Sequence, residues 1–251
     1  MRIDKYFSNL GIVSRKECAN LAKKWYIKVN WETIKKSDFK VNIWDMIEFD
    51  WENFEVIEDI TILLHKPAWY VSSDIDENNY PSYKKLLENC PYKNLVKIAW
   101  RLDVDTEWLL VLLSDWAKIH QLISPKKWKE KIYFVELEKE VDTELFKKIE
   151  TWIEMEDWIT LPARYVKIKI ENNKIKNLDE IRKFWNFKNS TIEQIPTKNN
   201  SILLAIKEWK FHQIKKMMQK LNNKVVYLKR LKLENFELEN LEKWEWKIIK
   251  N

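Results

Sequence analysis

Glycine is almost absent from this chain of 251 residues. It occurs once, as Gly11, whereas average usage of about 7% predicts roughly 17 glycines in a chain of this length. Tryptophan, in contrast, occurs 15 times, so the two residue types together reach the number expected for glycine alone. The chain contains no Gly-rich phosphate-binding loop, and it would contain none if every tryptophan were glycine.

The tryptophans also occupy positions that are typical of glycine. Four dipeptides stand where Asn-Gly or Asp-Gly would form hairpin turns: Asn30-Trp31, Asp50-Trp51, Asp115-Trp116 and Asp157-Trp158. A positive φ at such a turn costs an L-residue about 1–2 kcal/mol and costs glycine almost nothing. We therefore predict that most tryptophans are glycines in the natural protein, encoded by UGA codons that the source organism reads as glycine. The alternative is a truly tryptophan-rich protein, and Trp246 is the position where a genuine tryptophan is most expected.

Cysteines and long apolar runs are scarce as well. Cys18 and Cys90 lack metal-ligand spacing, and His65, His120 and His212 are scattered along the chain. No apolar run reaches the length of a membrane span, and the first residues lack a signal-peptide pattern. We therefore expect a reduced, cytoplasmic protein without a membrane segment or a metal site.

The positive charge is concentrated near the N-terminus. The whole chain carries a net charge of +6, and its first 40 residues contain ten Lys or Arg against four Asp or Glu. A solvated helix face would also be rich in lysine. An imbalance of this size in a small unit favours a surface that faces phosphates.

The N-terminal residues 1–57 have the pattern of a compact unit. The "SRKE" of Ser14–Glu17 predicts a capping box at the start of a helix, and Ile27 and Val29 alternate before the Asn30-Trp31 turn, as in a hairpin. The acidic residues 52–60 predict a linker, and a second domain spans residues 61–251. Short helices and strands interleave there without a regular βαβ rhythm, which predicts an α+β fold.

The segment "RIDKYFSNLGIVSRKECANLAKKWYIKVNWETI" resembles the RNA-binding domain named after ribosomal protein S-four. The resemblance covers almost all of residues 1–57 and implies binding to structured RNA. It further implies RNA contacts from Arg2, Ser14, Arg15 and Lys16. It implies nothing about catalysis.

The stretch "AWRLDVDTEWLLVLLSDW" contains the strongest candidate for catalysis, Asp103. It follows a predicted turn and precedes a buried strand. A carboxylate at the mouth of an apolar strand can be kept ionised by a cation and used as a nucleophile or base. The alternative from spacing alone is an aspartate that caps a turn. With Asp105 it also forms the D-x-D pattern of metal-dependent transferases, but the sequence shows no evident third ligand.

With glycine restored, this stretch resembles the signature loop of the RsuA-type ribosomal RNA pseudouridine synthases. Three further segments resemble motifs of that family in the same order: "HKPAWYVSS", "ISPKKWKEKIYFVELE" and "IKEWKFHQIKKMMQKLNNKVVYLKRLKL". The resemblance implies a catalytic domain with a mixed, largely antiparallel central sheet flanked by helices. The family typically has glycine at five tryptophan positions, where indoles would block the site: Trp69, Trp100, Trp108, Trp116 and Trp209.

The same resemblance implies an enzyme that isomerises a specific uridine of ribosomal RNA, in bacteria, without a cofactor or metal. Asp103 is then the catalytic nucleophile or base, Tyr133 stacks on the target base, and Lys215 pairs with the aspartate. RNA contacts are implied for Arg101, Lys126, Lys127, His212 and Lys216. Because the target base must leave its stack, aromatic and phosphate contacts are needed to offset a cost of a few kcal/mol.

The partner implied is ribosomal RNA or a pre-ribosomal particle, bound by a monomer. "RLDVDTEW", "ISPKK" and "KIYFVELE" are closer to the branch acting on small-subunit 16S rRNA. The alternatives are a large-subunit rRNA pseudouridine synthase and a non-catalytic RNA-binding or ribosome-assembly factor. A metal-dependent transferase is a weaker third reading.

Overall fold

Two sheets organise the computed structural model, which describes residues 1–57, 59–124 and 129–250. A four-stranded sheet belongs to the N-terminal part of the chain, and a nine-stranded sheet forms the rest. Helices flank both sheets, so the predicted α+β class is confirmed. Within the described ranges, no helix is long and apolar enough to cross a membrane.

The N-terminal unit consists of two helices on a sheet of order β2-β1-β3-β4. Its elements are α1 (Ile3–Leu10), α2 (Arg15–Lys23), β1 (Ile27–Val29), β2 (Glu32–Thr33), β3 (Met46–Phe49) and β4 (Glu52–Glu55). The predicted capping box is confirmed: the Ser14 hydroxyl accepts from the Glu17 amide at 3.2 Å, and the Glu17 carboxylate accepts from the Ser14 amide at 2.8 Å. The predicted β1–β2 hairpin is confirmed too.

The acidic stretch predicted as a linker is shorter than expected. Its first residues form β4, because they pair with β3 and bury Phe54. The Glu55 carbonyl then accepts hydrogen bonds from the Tyr6 and Tyr92 hydroxyls, at 3.1 and 2.9 Å. Since Tyr6 lies in α1 and Tyr92 lies beyond the N-terminal unit, the two parts share one apolar core. The predicted domain boundary remains a prediction.

Gly11 shows how closely the two parts approach each other. It ends α1 with φ of 72°, and a Cβ at this position would lie 2.5 Å from Asn94 Nδ2. Asn94 itself donates to the Leu10 carbonyl at 2.8 Å. This position therefore needs glycine both for its backbone angle and for the space.

The large sheet has the strand order β15-β5-β7-β13-β8-β12-β9, with β6 paired to β7 and β14 to β13. Only the β7–β13 contact is parallel among these pairs, so the predicted mixed, largely antiparallel sheet is confirmed. The strands are β5 (Ile60–Lys66), β6 (Lys97–Ala99), β7 (Glu107–Leu113), β8 (Lys131–Leu137), β9 (Arg164–Lys167), β12 (Ser201–Ile206), β13 (Val225–Leu233), β14 (Phe236–Glu237) and β15 (Trp246–Lys250). A separate ribbon pairs β10 (Ile170–Glu171) with β11 (Lys174–Ile175).

The helices of this second part are α3 (Trp116–Ile123), α4 (Thr143–Phe146), α5 (Leu178–Trp185), α6 (Asn189–Glu193) and α7 (Gln213–Lys220). The Asp142 side chain caps α4 by accepting from the Glu144 and Leu145 amides. A 3-10 helix, Tyr83–Leu87, follows Pro81. The Ser82 hydroxyl caps it, accepting from the Lys84 amide at 3.1 Å.

The backbone at the tryptophans separates them into two groups. Of the fourteen within the described residues, eight have φ between 66° and 89°: Trp25, Trp31, Trp44, Trp51, Trp69, Trp100, Trp108 and Trp244. The expectation of positive φ is confirmed at Trp31 and Trp51 and is wrong at Trp116 and Trp158. At Trp116 the reason is local: Asp115 accepts from the Ala117 amide at 2.7 Å and so caps α3 rather than opening a hairpin.

Candidate active site

Asp103 lies in the loop between β6 and β7, and the segment that follows β5 holds this loop in place. The Ser72 hydroxyl donates to the Leu102 carbonyl at 2.9 Å and accepts from the Leu102 amide at 3.0 Å. The Trp69 amide donates to the Val104 carbonyl at 2.7 Å. Peptide groups on both sides of Asp103 are therefore fixed by backbone and hydroxyl contacts.

Lys66, at the end of β5, supports the same loop from inside the protein. Its side chain is fully buried, and Nζ donates to the carbonyls of Pro67, Tyr70 and Val104 at 2.9, 2.9 and 3.2 Å. Burial lowers the pKa of Lys66 to about 7, against the opposing effect of nearby carboxylates. Sequence reasoning assigned Lys66 no role, although its Lys-Pro dipeptide belongs to a motif that carried the resemblance.

One cavity, which we call the aspartate pocket, is lined by five of the predicted site residues: Arg101, Asp103, Tyr133, His212 and Lys215. Asp103 keeps 23% of its side chain exposed. Its carboxylate lies 3.6 Å from Lys215 Nζ and 3.9 Å from His212 Nε2. A carboxylate with two nitrogen groups beside it can be reached from solvent and used chemically.

Asp105, rather than Asp103, is the nearest carboxylate to Lys215. Lys215 Nζ donates to both Asp105 oxygens, at 2.6 and 2.8 Å, while Asp103 lies a further ångström away. α7 places the ammonium between two carboxylates that are two residues apart. Because Lys215 Nζ contacts both Asp105 oxygens, the aspartates of the D-x-D pattern serve here as counter-ions of the Lys215 ammonium. Within the described ranges, no group of three or more His, Cys, Asp or Glu residues could hold a metal ion.

Tyr133 forms the wall of the aspartate pocket from β8. Only 5% of the residue is exposed. Burial raises the pKa of its hydroxyl, and the charge and hydrogen-bonding capacity of Arg230 partly oppose that effect. The phenol is therefore neutral near physiological pH.

The remaining predicted RNA-contacting residues form two groups. Near the pocket, Arg101 forms an ion pair with Glu77 at 3.3 Å, and Lys216 is exposed on α7. On the N-terminal unit, Arg2 pairs with Asp4 at 2.7 Å. There Ser14 caps α2, whose first residues, Arg15 and Lys16, are exposed. Lys126 and Lys127 lie outside the described residues.

Comparisons with known proteins identify the family to which the chain belongs. Residues 60–220 match the family model of the RNA pseudouridylate synthases. An RNA pseudouridine synthase of Aquifex aeolicus is 30% identical over 98% of this chain and 92% of its own length. The ribosomal small subunit pseudouridine synthase A of Vibrio parahaemolyticus is 30% identical over 96% and 91%. The ribosomal large subunit pseudouridine synthase B of Bacillus subtilis is 26% identical over 91% and 84%.

A solved structure shows the same fold. The crystal structure of a pseudouridylate synthase superimposes with a TM-score of 0.60 at 27% identity, covering 99% of this chain and 96% of that one. The family model covers more than half of the chain, and the relatives cover nearly all of it. This chain belongs to the RNA pseudouridylate synthase family and is an isomerase that forms pseudouridine.

Proposed function

We propose that this enzyme converts a specific uridine of small-subunit ribosomal RNA to pseudouridine, with Asp103 as its catalytic residue. The observation that carries the proposal is the aspartate pocket, where Asp103, Tyr133 and Lys215 converge from three separate chain segments. The small-subunit synthase of Vibrio parahaemolyticus, similar along almost the whole chain, supports ribosomal RNA as the substrate.

The reaction needs only groups that the pocket supplies. The bond between ribose carbon 1′ and ring nitrogen 1 breaks, a bond from carbon 1′ to ring carbon 5 forms, and a proton leaves carbon 5 while nitrogen 1 gains one. Atoms and electrons balance within the substrate, so an isomerase has no external group to transfer. Asp103 acts as nucleophile or base, Lys215 and His212 stand beside its carboxylate, and Tyr133 stacks on the flipped base.

Residues 1–57 are proposed as an S-four-type RNA-binding domain, followed by a catalytic domain over residues 61–251. The basic excess of the first 40 residues supports this division. So does the exposure of Arg15 and Lys16, which leaves their charges accessible to a phosphate backbone. A separate anchoring surface supplies affinity that the small aspartate pocket does not.

Most tryptophans are proposed to be glycine in the natural protein. Positive φ at eight of them would cost about 8–16 kcal/mol, as much as the roughly 5–15 kcal/mol total stability of a domain. Trp108 adds a packing conflict: its indole nitrogen is buried without a hydrogen-bond partner among the described residues, and Lys229 Nζ lies 3.0 Å from the ring centroid. Glycine at position 108 removes both problems.

The intact mass of the protein purified from its source tests this reading directly. Replacement of all eight positive-φ tryptophans by glycine should also raise the free energy of unfolding. Trp246→Gly is the matched control and should lower that free energy, because Trp246 lies in β15 and packs on the core. A native mass that matches 15 tryptophans contradicts the proposal.

The proposed reaction is tested by mapping pseudouridines in ribosomal RNA with and without this gene. One small-subunit position should lose its modification, and the purified glycine-restored enzyme should reintroduce it. Asp103→Asn should abolish turnover while RNA affinity stays within about tenfold, because the amide keeps the shape but not the charge. A lost site in large-subunit RNA would reassign the substrate, and no lost site would favour a non-catalytic RNA-binding factor.

A further inference from the structure

Arg230, in the middle of β13, is a fully buried cation that the proposed chemistry does not use. None of the ion pairs found among the described residues involves it. Instead its Nε and Nη2 donate to the Leu109 carbonyl at 2.9 and 2.7 Å, and Nη2 also reaches the Trp100 carbonyl at 3.3 Å. These two carbonyls stand on either side of the loop that carries Asp103.

The same guanidinium also faces the wall of the aspartate pocket. Arg230 and Tyr133 are direct partners across the β13–β8 pair. Arg230 Nη1 has no close hydrogen-bond partner within the described residues. Burial raises the pKa of the Tyr133 hydroxyl, and the charge of the nearby Arg230 guanidinium opposes that effect. One side chain therefore touches both ends of the catalytic loop and lies against the residue proposed to stack on the base.

A buried charge at this point needs an explanation. Desolvation of a charged group costs several kcal/mol unless hydrogen bonds replace the lost water, and an apolar residue would fill the same space without that cost. Arginine differs from lysine because its planar fork offers five N–H donors in fixed directions. That geometry suits a site where two carbonyls and one hydroxyl must be held relative to one another.

We propose that Arg230 is a positioning residue that sets the Asp103 loop and Tyr133 in one mutual geometry. It does not line the aspartate pocket, so it acts through the two residues that do. This inference rests on the proposed roles of Asp103 and Tyr133. Without Arg230, the Asp103 loop and Tyr133 should keep their own structures. They should no longer be held in the mutual orientation that lets both face the flipped base.

The test is a double-mutant cycle on the glycine-restored enzyme. Arg230→Gln should lower kcat by about 30- to 100-fold, as expected for a misplacement near 1 Å, with RNA affinity within about threefold. In a Tyr133→Phe background the same substitution should cost at least about fivefold less, because residues that act together are not additive. Arg230→Lys keeps the charge but loses the planar guanidinium and its fixed N–H directions. The variant should therefore fold, while its kcat stays low.

Lys229→Gln is the matched control, since Lys229 is the neighbouring buried cation of β13 and its Nζ donates to the Gln194 carbonyl at 3.4 Å instead. It should reduce stability without coupling to Tyr133→Phe. Equal losses of kcat for Arg230→Gln in both Tyr133 backgrounds would overturn the inference, as would full activity of Arg230→Lys. If Arg230→Gln does not fold, the Arg230→Lys comparison in both backgrounds decides. A glycine-restored enzyme with Arg230 and Tyr133 intact that forms no pseudouridine contradicts the proposed function itself, independently of Arg230.

Discussion

Cations occupy opposite environments in the two parts of this enzyme. In the N-terminal unit, Arg15 and Lys16 are exposed at the start of α2. In the catalytic part, Lys66, Lys131 and Arg230 are fully buried and donate to backbone carbonyls. Exposed cations can neutralise phosphates and release counter-ions, whereas buried ones cannot reach RNA and instead hold the protein around the pocket. The net charge of a chain therefore overstates the charge available to a polyanion.

The largest expected effect comes from a buried cation. Lys66→Met should lower the free energy of unfolding by about 3 kcal/mol or more, because three carbonyls under the Asp103 loop lose their donor. Denaturant titration measures this change. Lys97→Met, which removes a surface ion pair with Asp74, should change stability by less than about 1 kcal/mol. Equal effects of the two substitutions would remove the contrast between buried and exposed cations.

The pH dependence of the free energy of unfolding should show a smaller effect for each buried lysine. Burial lowers the pKa of Lys66, Lys131 and Lys229 to about 7, from 10.5 for a free lysine. Above about pH 7 the unfolded chain then binds more protons than the folded one, so the free energy of unfolding should rise with pH. Between pH 7 and 8.5 we expect each of these lysines to contribute a rise of about 1.6 kcal/mol.

In the folded protein this window lies below the ionisation of the cysteine thiols, since burial raises the pKa of both Cys18 and Cys90. Thiols of the unfolded chain ionise from about pH 8.5, so they oppose the rise only at the top of the window. The same titration on a Lys131→Met variant should show a shallower rise, because one of the three groups is gone. Stability that stays level or falls across this range in the parent enzyme would contradict the assignment of these lysines as buried cations.

The exposed cations should have the smallest effect, and only on binding. The double variant Arg15→Gln with Lys16→Gln should weaken RNA affinity by about three- to tenfold. The slope of log K against the logarithm of the salt concentration should fall in magnitude by about one to two. The kcat at saturating RNA should not change, because neither residue lines the aspartate pocket. Lys23→Gln, at the other end of α2, is the matched control for charge. A fall in kcat would show that the N-terminal unit does more than anchor RNA.

Local sequence signals predicted much of this molecule. The capping box of Ser14 and Glu17 is a contact between residues three apart, and the strand periods of β5, β7 and β8 follow from alternation and apolar runs. The tryptophans at Trp31 and Trp51 were recognised as glycine-like positions from the preceding residue alone. Such features depend on short stretches of chain and can be read without a fold.

Long-range partners were not accessible in the same way. β15 completes the large sheet by pairing with β5, although almost 180 residues separate the two strands. Lys215 engages Asp105 more closely than Asp103 across 110 positions. Neither the β15–β5 pairing nor the Lys215–Asp105 contact leaves a periodic signal in the sequence.

The sequence by itself determined the α+β class, five residues of the aspartate pocket and the glycine-like turns at Trp31 and Trp51, because motif spacing and turn chemistry are local. Only the tertiary structure decided which cations are buried. Arg230, Lys66 and Lys16 all carry a positive charge in the sequence. The fold alone turns the first two towards carbonyls beside the Asp103 loop and leaves the third in water. The physical reason is desolvation: the same positive charge binds phosphate where water surrounds it and organises backbone where water is excluded.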